Sequence, residues 1–222
     1  MTVKTEEAED TARRPGRPRS QDISTAVLSV ALNLAYDHGI EAATIERIAQ
    51  QSGVAKTTIY RRWPSAGAVV MDAFMSDIAP EIPYREEKTI SLTFQQAVQQ
   101  LIKALDGQRG TLLRQLLAAA QVDDALRQVF LEKWVLPRRA QAREVIARAQ
   151  ERGDFKKPVD VDVLIDVIFG AVYYRLLMPY AGLNREFAGR LTRQVFAGVL
   201  HDDEPAPAPG ATATTSRSSV ST

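Results

Sequence analysis

Residues 44–65 read TIERIAQQSGVAKTTIYRRWPS, and the folding of this stretch decides how the rest of the chain is read. Thr44 is a hydroxyl residue directly before an apolar rhythm, the pattern of a helix N-cap. Ile45, Ile48 and Ala49 then share one side of a short helix that Gly53 breaks. A second short helix covers about Ala55 to Trp63. With Ile59 set inward, Ala55 and Trp63 join the buried side and Thr57 and Arg61 point the opposite way. Lys56, Thr58, Tyr60 and Arg62 flank them. Ala49 is small enough to let the two helices cross closely, and Ser52-Gly53-Val54 has the length of a tight turn. This is the outline of a helix-turn-helix, the motif whose second helix lies in the major groove of DNA.

The polar side of that helix carries the matching chemistry. Arginine and lysine can bond guanine O6 and N7, and threonine can set its methyl on thymine. Lys56, Thr57, Thr58, Arg61 and Arg62 are therefore the candidate base readers. Thr44, at a helix N-terminus, and the long phenol of Tyr60 are candidates for the phosphate backbone. A second cationic element lies upstream in ARRPGRPRS, where Arg13, Arg14, Arg17 and Arg19 alternate with Pro15, Gly16 and Pro18. Proline holds such a segment extended, and extended arginines enter narrow minor grooves; Arg17 and Arg19 are the candidates. The alternatives are a merely solvated helix and a solvated tail.

The rest of the composition restricts these readings. The chain has 222 residues, 45% of them hydrophobic and 25% charged, with a net charge of only +1. Any basic surface must be local, and from Arg13 to Trp63 eight basic residues stand against four acidic ones. There is no cysteine, which excludes disulfides, thiolate metal ligation and a cysteine nucleophile. The start MTVKTEEAED is polar, and no uninterrupted apolar window reaches about 18 residues, so a soluble cytoplasmic protein without a membrane span is expected.

Helical spacing dominates the chain, and the expected fold is all-α. It comprises a flexible basic arm over 1–19, a helix-turn-helix domain over 20–79, a larger helical domain over 84–201 and a disordered Pro/Ala/Ser/Thr tail over 202–222. The segment APEIPYRE marks the boundary between the two domains. Helices are expected near 89–106, 110–120, 122–152, 160–178 and 184–200. Apolar and aromatic side chains in the larger domain could line a ligand cavity: Phe94, Leu101, Leu105, Leu113, Leu116, Phe130, Trp134, Phe169 and Tyr173, with Gln115 as a polar contributor. The alternative is that they form only the core. The effector expected from this lining is a hydrophobic molecule.

No catalytic pattern competes. His38 and His201 are the only histidines, and neither stands at metal or triad spacing. No G-x-S-x-G, phosphate-cradling loop or strand-borne G-x-G-x-x-G occurs. Asp123, Asp124, Asp160, Asp162 and Asp166 fall at or near expected helix starts, where the helix dipole favours negative charge. No enzyme, cofactor or metal is expected. A helical small-molecule carrier without DNA binding is the alternative function.

The block of Thr44, Ile48-Ala49, Ser52-Gly53-Val54, Thr58-Ile59-Tyr60 and Trp63-Pro64-Ser65, preceded by AYDHGIEAA, resembles the TetR family of bacterial transcriptional regulators. FGAVYYRLLMPYAGLNREFAGRLTRQVFAGVL resembles, more loosely, the last two helices of its members. The resemblance implies a homodimer on a palindromic operator, usually a repressor released by a small ligand, with DNA contacts from Thr44, Lys56, Thr57, Thr58, Tyr60 and Arg62. It also implies a four-helix dimer interface. Ile168, Val172 and Leu176 on the penultimate helix and Leu191, Val195 and Val199 on the last are the candidates, with Gly170 and Ala171 permitting close approach. One departure stands out: many members carry lysine after Pro-Ser, where this chain has Ala66 and Gly67. The arginine arm is expected to replace that phosphate contact.

Overall fold

The computed structural model describes residues 19–155 and 159–200, with side chains from 22 to 155 and from 159 to 198. The expected arm, with Arg17, and the expected tail lie outside these residues, as do the side chains of Arg19 and of the interface candidate Val199. The described residues are all-helical, without a strand.

α1 (Arg19–His38) buries Val27, Ala31, Leu34 and Ala35 and stops at Gly39, whose φ of 82° suits the side-chain-free residue. α2 (Ile45–Ser52) starts at Thr44, whose hydroxyl accepts from the Arg47 N–H at 3.3 Å. It ends at Gly53 in the left-handed region, φ 71°. α3 (Lys56–Tyr60) follows and buries Ile59. Ala55, expected on the buried side, is exposed at the helix start. Ala55 is the N-cap, with ψ 138°, so the helical wheel that set it beside Ile59 does not extend to it.

α4 (Ala66–Ile78) is capped by Ser65, which accepts from the Ala68 N–H at 3.2 Å. It is buried along nearly its whole length. A helix this apolar needs cover on several sides. α1 covers one, while α6 (Gln108–Ala119) and α7 (Asp124–Phe130) cover others, so a continuous apolar core joins the helix-turn-helix to the larger half. Ala66 packs against this core, and a side chain at Gly67 would meet Leu126 of α7 at 3.4 Å.

The helix expected over 122–152 is interrupted. α7 runs into a wide π turn, Leu131–Val135, before α8 (Leu136–Glu151). Pro137 has no N–H for the Lys133 carbonyl, and its ring crowds the preceding turn. The backbone widens there, and the Leu136 N–H reaches Leu131 O, five residues back. α5 (Ile90–Ala104), α9 (Val161–Leu177) and α10 (Arg185–Leu200) complete the larger half. Its centre is aromatic: the Phe94 ring lies 6.0, 6.3 and 5.8 Å from those of Tyr84, Phe169 and Phe196. Asp123 and Asp160 cap α7 and α9. Among the described residues no helix is long and apolar enough to cross a membrane.

Candidate DNA-binding surface and effector cavity

α3 presents Lys56, Thr57, Tyr60 and Arg61 outward, with Tyr60 54% exposed and Thr58 half-buried beside them. Spacings of one, four and five residues set them along one face. Lys56 Nζ meets Glu46 Oε1 of α2 at 2.7 Å, and this bond holds the Glu46 carboxyl below its ordinary pKa. Thr44 is exposed at the start of α2. Arg62, expected to read bases, is instead turned inward, its guanidinium donating to the Ser24 hydroxyl of α1. A helical wheel drawn from α3 alone cannot show that Ser24 of α1 lies within reach of Arg62.

From the end of α3 a short polar chain leads into the larger half. Trp63 is buried, and its indole N–H donates to Asp72 Oδ2 of α4 at 2.8 Å. The other Asp72 oxygen faces Lys133 Nζ at 3.7 Å. Lys133 belongs to the π turn, next to Trp134.

Trp134 is a wall of a cavity of about 490 Å³. Of the ten predicted lining residues, Leu101, Phe130, Trp134, Phe169 and Tyr173 face this space. Phe94, Leu113 and Leu116 are instead sealed core, and Gln115 is exposed on the surface. Leu105 is also buried, beside a separate shallow groove. Side chains of the right type outnumber the places at the wall, and only the helix crossings choose between them. Sequence reasoning missed Tyr84, Leu117, Gln121, Arg138, Ile165 and Leu177. Tyr84 was hidden in the boundary segment; Arg138, one helical turn after Trp134, was the signal available.

The polar end of the cavity is built around Arg138. Its guanidinium lies 4.9 Å from the Trp134 ring centre and 5.1 Å from that of Tyr84, and Nη2 donates to the Ile82 carbonyl at 2.8 Å. Burial pushes the Tyr84 phenol up to about 12 and raises the Tyr173 phenol as well, so both stay protonated. The Trp134 N–H donates to Tyr173 Oη at 2.8 Å. At the rim Arg139 pairs with Asp162 and Asp166, and Arg143 also reaches Asp162 at 2.7 Å. These carboxylates are engaged by arginines.

A third surface lies on α9 and α10. Ile168, Val172 and Leu176, expected at a dimer interface, are buried within the chain. The outward apolar residues of α9 include Val163 and Tyr174, 55% and 57% exposed, with Val167, 49% exposed, and the exposed Gly170 between them; Leu177, at the helix end, is exposed as well. Val195 and Gly198 of α10 border the same groove, and Leu191 is half-buried.

A helix-turn-helix domain joined through a shared core to a helical cavity-bearing domain defines a class of DNA-binding regulator. Comparison with known proteins gives the family. Residues 27–70 match the profile of the bacterial regulatory proteins of the tetR family, and residues 93–195 match the Tetracyclin repressor-like C-terminal domain. The HTH-type transcriptional regulator YdeS of Bacillus subtilis is 31% identical over 184 residues, which is 83% of this chain and 93% of YdeS. The crystal structure of the TetR family regulator SCO0332 superposes with a TM-score of 0.71 at 31% identity, covering 80% of this chain and 98% of that one. The fold also matches FadR from Bacillus subtilis, solved in complex with stearoyl-CoA, at a TM-score of 0.61 and 17% identity over 79% and 98% of the two chains. The chain belongs to the TetR family of bacterial transcriptional regulators.

Proposed function

We propose that this protein is a repressor that binds a palindromic operator as a homodimer and is released when a small, largely apolar ligand enters the cavity. The observation that carries the reading is the polar chain from Trp63 through Asp72 to Lys133, because it links the foot of the DNA-facing helix to the wall of an interior cavity. Lys56, Thr57 and Arg61, with Thr58 beside them, read base edges in the major groove. Thr44 and Tyr60 hold the phosphate backbone, and Arg62 fixes the seat of α3 on α1. Arg17 and Arg19 lie in or along the minor groove in place of the phosphate contact that Ala66 cannot make.

The exposed Val163, Val167, Gly170 and Tyr174 of α9, with Leu191, Val195 and Gly198 of α10, pack against the same residues of a second copy. Two-fold symmetry then sets two α3 helices on two half-sites. A ligand that displaces Trp134 moves the π turn, and with it Lys133 and Asp72. Trp63 and α3 then lose their support in the DNA-bound position. Any such ligand shifts the equilibrium only by its differential affinity for the two states.

Selection of bound duplexes from a random pool tests the reading. A motif of two inverted half-sites supports it. No enrichment by folded protein at low salt rejects it in favour of a carrier. Salt dependence without a preferred sequence indicates non-specific binding. Deletion of residues 1–19 tests the arm, and unchanged operator affinity removes it from the proposal.

A further inference from the structure

We infer that the cavity is built for an organic acid, an aromatic or alkyl body carrying one carboxylate that Arg138 grips together with the Tyr84 and Tyr173 phenols. The inference rests on reading this cavity as the effector site and names the chemistry of its ligand.

Three observations lead there. The first is charge. The charged residues at the wall are Arg138, Arg139 and Asp166. Arg139 and Asp166 pair with each other at the rim, which leaves Arg138, held by two aromatic rings and a carbonyl, without an anionic partner. No carboxylate among the described residues pairs with Arg138. A buried cation without an anion is costly unless something neutralises it.

The second is the character of the hydrogen-bonding groups. A guanidinium has five N–H donors and no acceptor. One Arg138 donor is used by the Ile82 carbonyl and another is directed at the Tyr84 oxygen, while the Trp134 ring covers the cation on one side. The Tyr84 proton and the remaining guanidinium donors are left over. The Tyr173 oxygen already accepts from Trp134, which leaves its own proton for a further acceptor. The polar end therefore offers donors. A carboxylate, with acceptors only, is their complement; an amine would set donor against donor, and a primary amide would meet them with its carbonyl alone and without the charge. The third is the apolar remainder of the wall, which includes Leu101, Leu117, Phe130, Ile165 and Phe169. That suits a hydrocarbon body better than a sugar or a polyanion.

A purely structural arginine is the rival account, since Arg138 also ties α8 to the Ile82 carbonyl. The two differ in what the protein discriminates. Calorimetric titration of the full chain with naphthylacetate, phenylbutyrate and decanoate, each against its primary amide at neutral pH, reads this directly. The acids are expected to bind at least about tenfold more tightly than their amides, as charge-assisted bonds to a desolvated guanidinium require. Arg138→Met should bring each pair to within about twofold. Arg138→Lys should keep part of the preference, because it keeps the charge and loses the fork. If the methionine variant does not fold, the acid-to-amide ratio in the unmodified protein decides the matter.

Amides binding as tightly as acids, a preference surviving in folded Arg138→Met, or no binding by any of the acids would overturn the inference. Operator affinity measured in the same samples separates it from the functional reading. Acids that bind without weakening the operator complex leave the ligand class standing and remove the effector role. Amides that release the operator do the reverse.

Discussion

Lys56 is held by Glu46 before any DNA arrives, and both partners are well exposed. An exposed pair of this kind contributes little and is screened by salt. Lys56 can thus be redirected to a base at small cost. Lys56→Ala is expected to relax preference at one position of each half-site by roughly 1–3 kcal/mol, read by competition between half-site variants. Tyr60→Phe should weaken binding evenly across sequences, since a phosphate contact carries no base information. Arg62→Ala belongs to another category. Its head bonds α1, so it should lower thermal stability and leave the order of base preference unchanged. A lost preference in a fully stable Arg62→Ala protein would return that residue to the reading set.

At the scale of elements, the starts and stops are local chemistry and were legible in the sequence. Thr44 before Ile45 and Gly53 after Ser52 act through bonds to the nearest backbone groups. Gly53→Ala places a Cβ in the left-handed region at φ 71° and should cost about 1 kcal/mol in denaturant unfolding. The π turn was not legible. Pro137 announces a disturbance, but whether a helix ends, kinks or widens there depends on what α7 and α8 pack against. The link from Trp63 to Asp72 was equally hidden, since it joins two helices across a turn. Trp63→Phe keeps the ring body and removes the donor, leaving the largely buried Asp72 carboxylate one partner short. The expected loss is about 1–3 kcal/mol of stability, with weaker operator binding. Unchanged melting and operator affinity would show that this bond supports neither.

For the whole molecule, the two faces of α9 make opposite predictions. Val167→Glu adds charge to an exposed apolar face, so the protein should fold, appear as a monomer by light scattering and bind a two-half-site operator roughly a hundredfold more weakly. Val172→Glu puts an unpaired carboxylate where no solvent reaches and should prevent stable folding. A Val167→Glu protein that remains dimeric would move the interface elsewhere.

That contrast separates what the sequence determined from what tertiary structure decided. Local chemistry determined the helix caps, the glycine turn, the paired short helices and the polar face of α3, because each depends on residues within a few positions of one another. The resemblance to the TetR family followed from that same block. Tertiary structure decided which side of α9 is core, which aromatic residues line the cavity, and that Arg62 faces inward while Arg138 faces a void. A helix apolar around most of its circumference carries no period to say which neighbour covers it. A cavity is the space left where helices cross, so it is set by residues far apart in the chain.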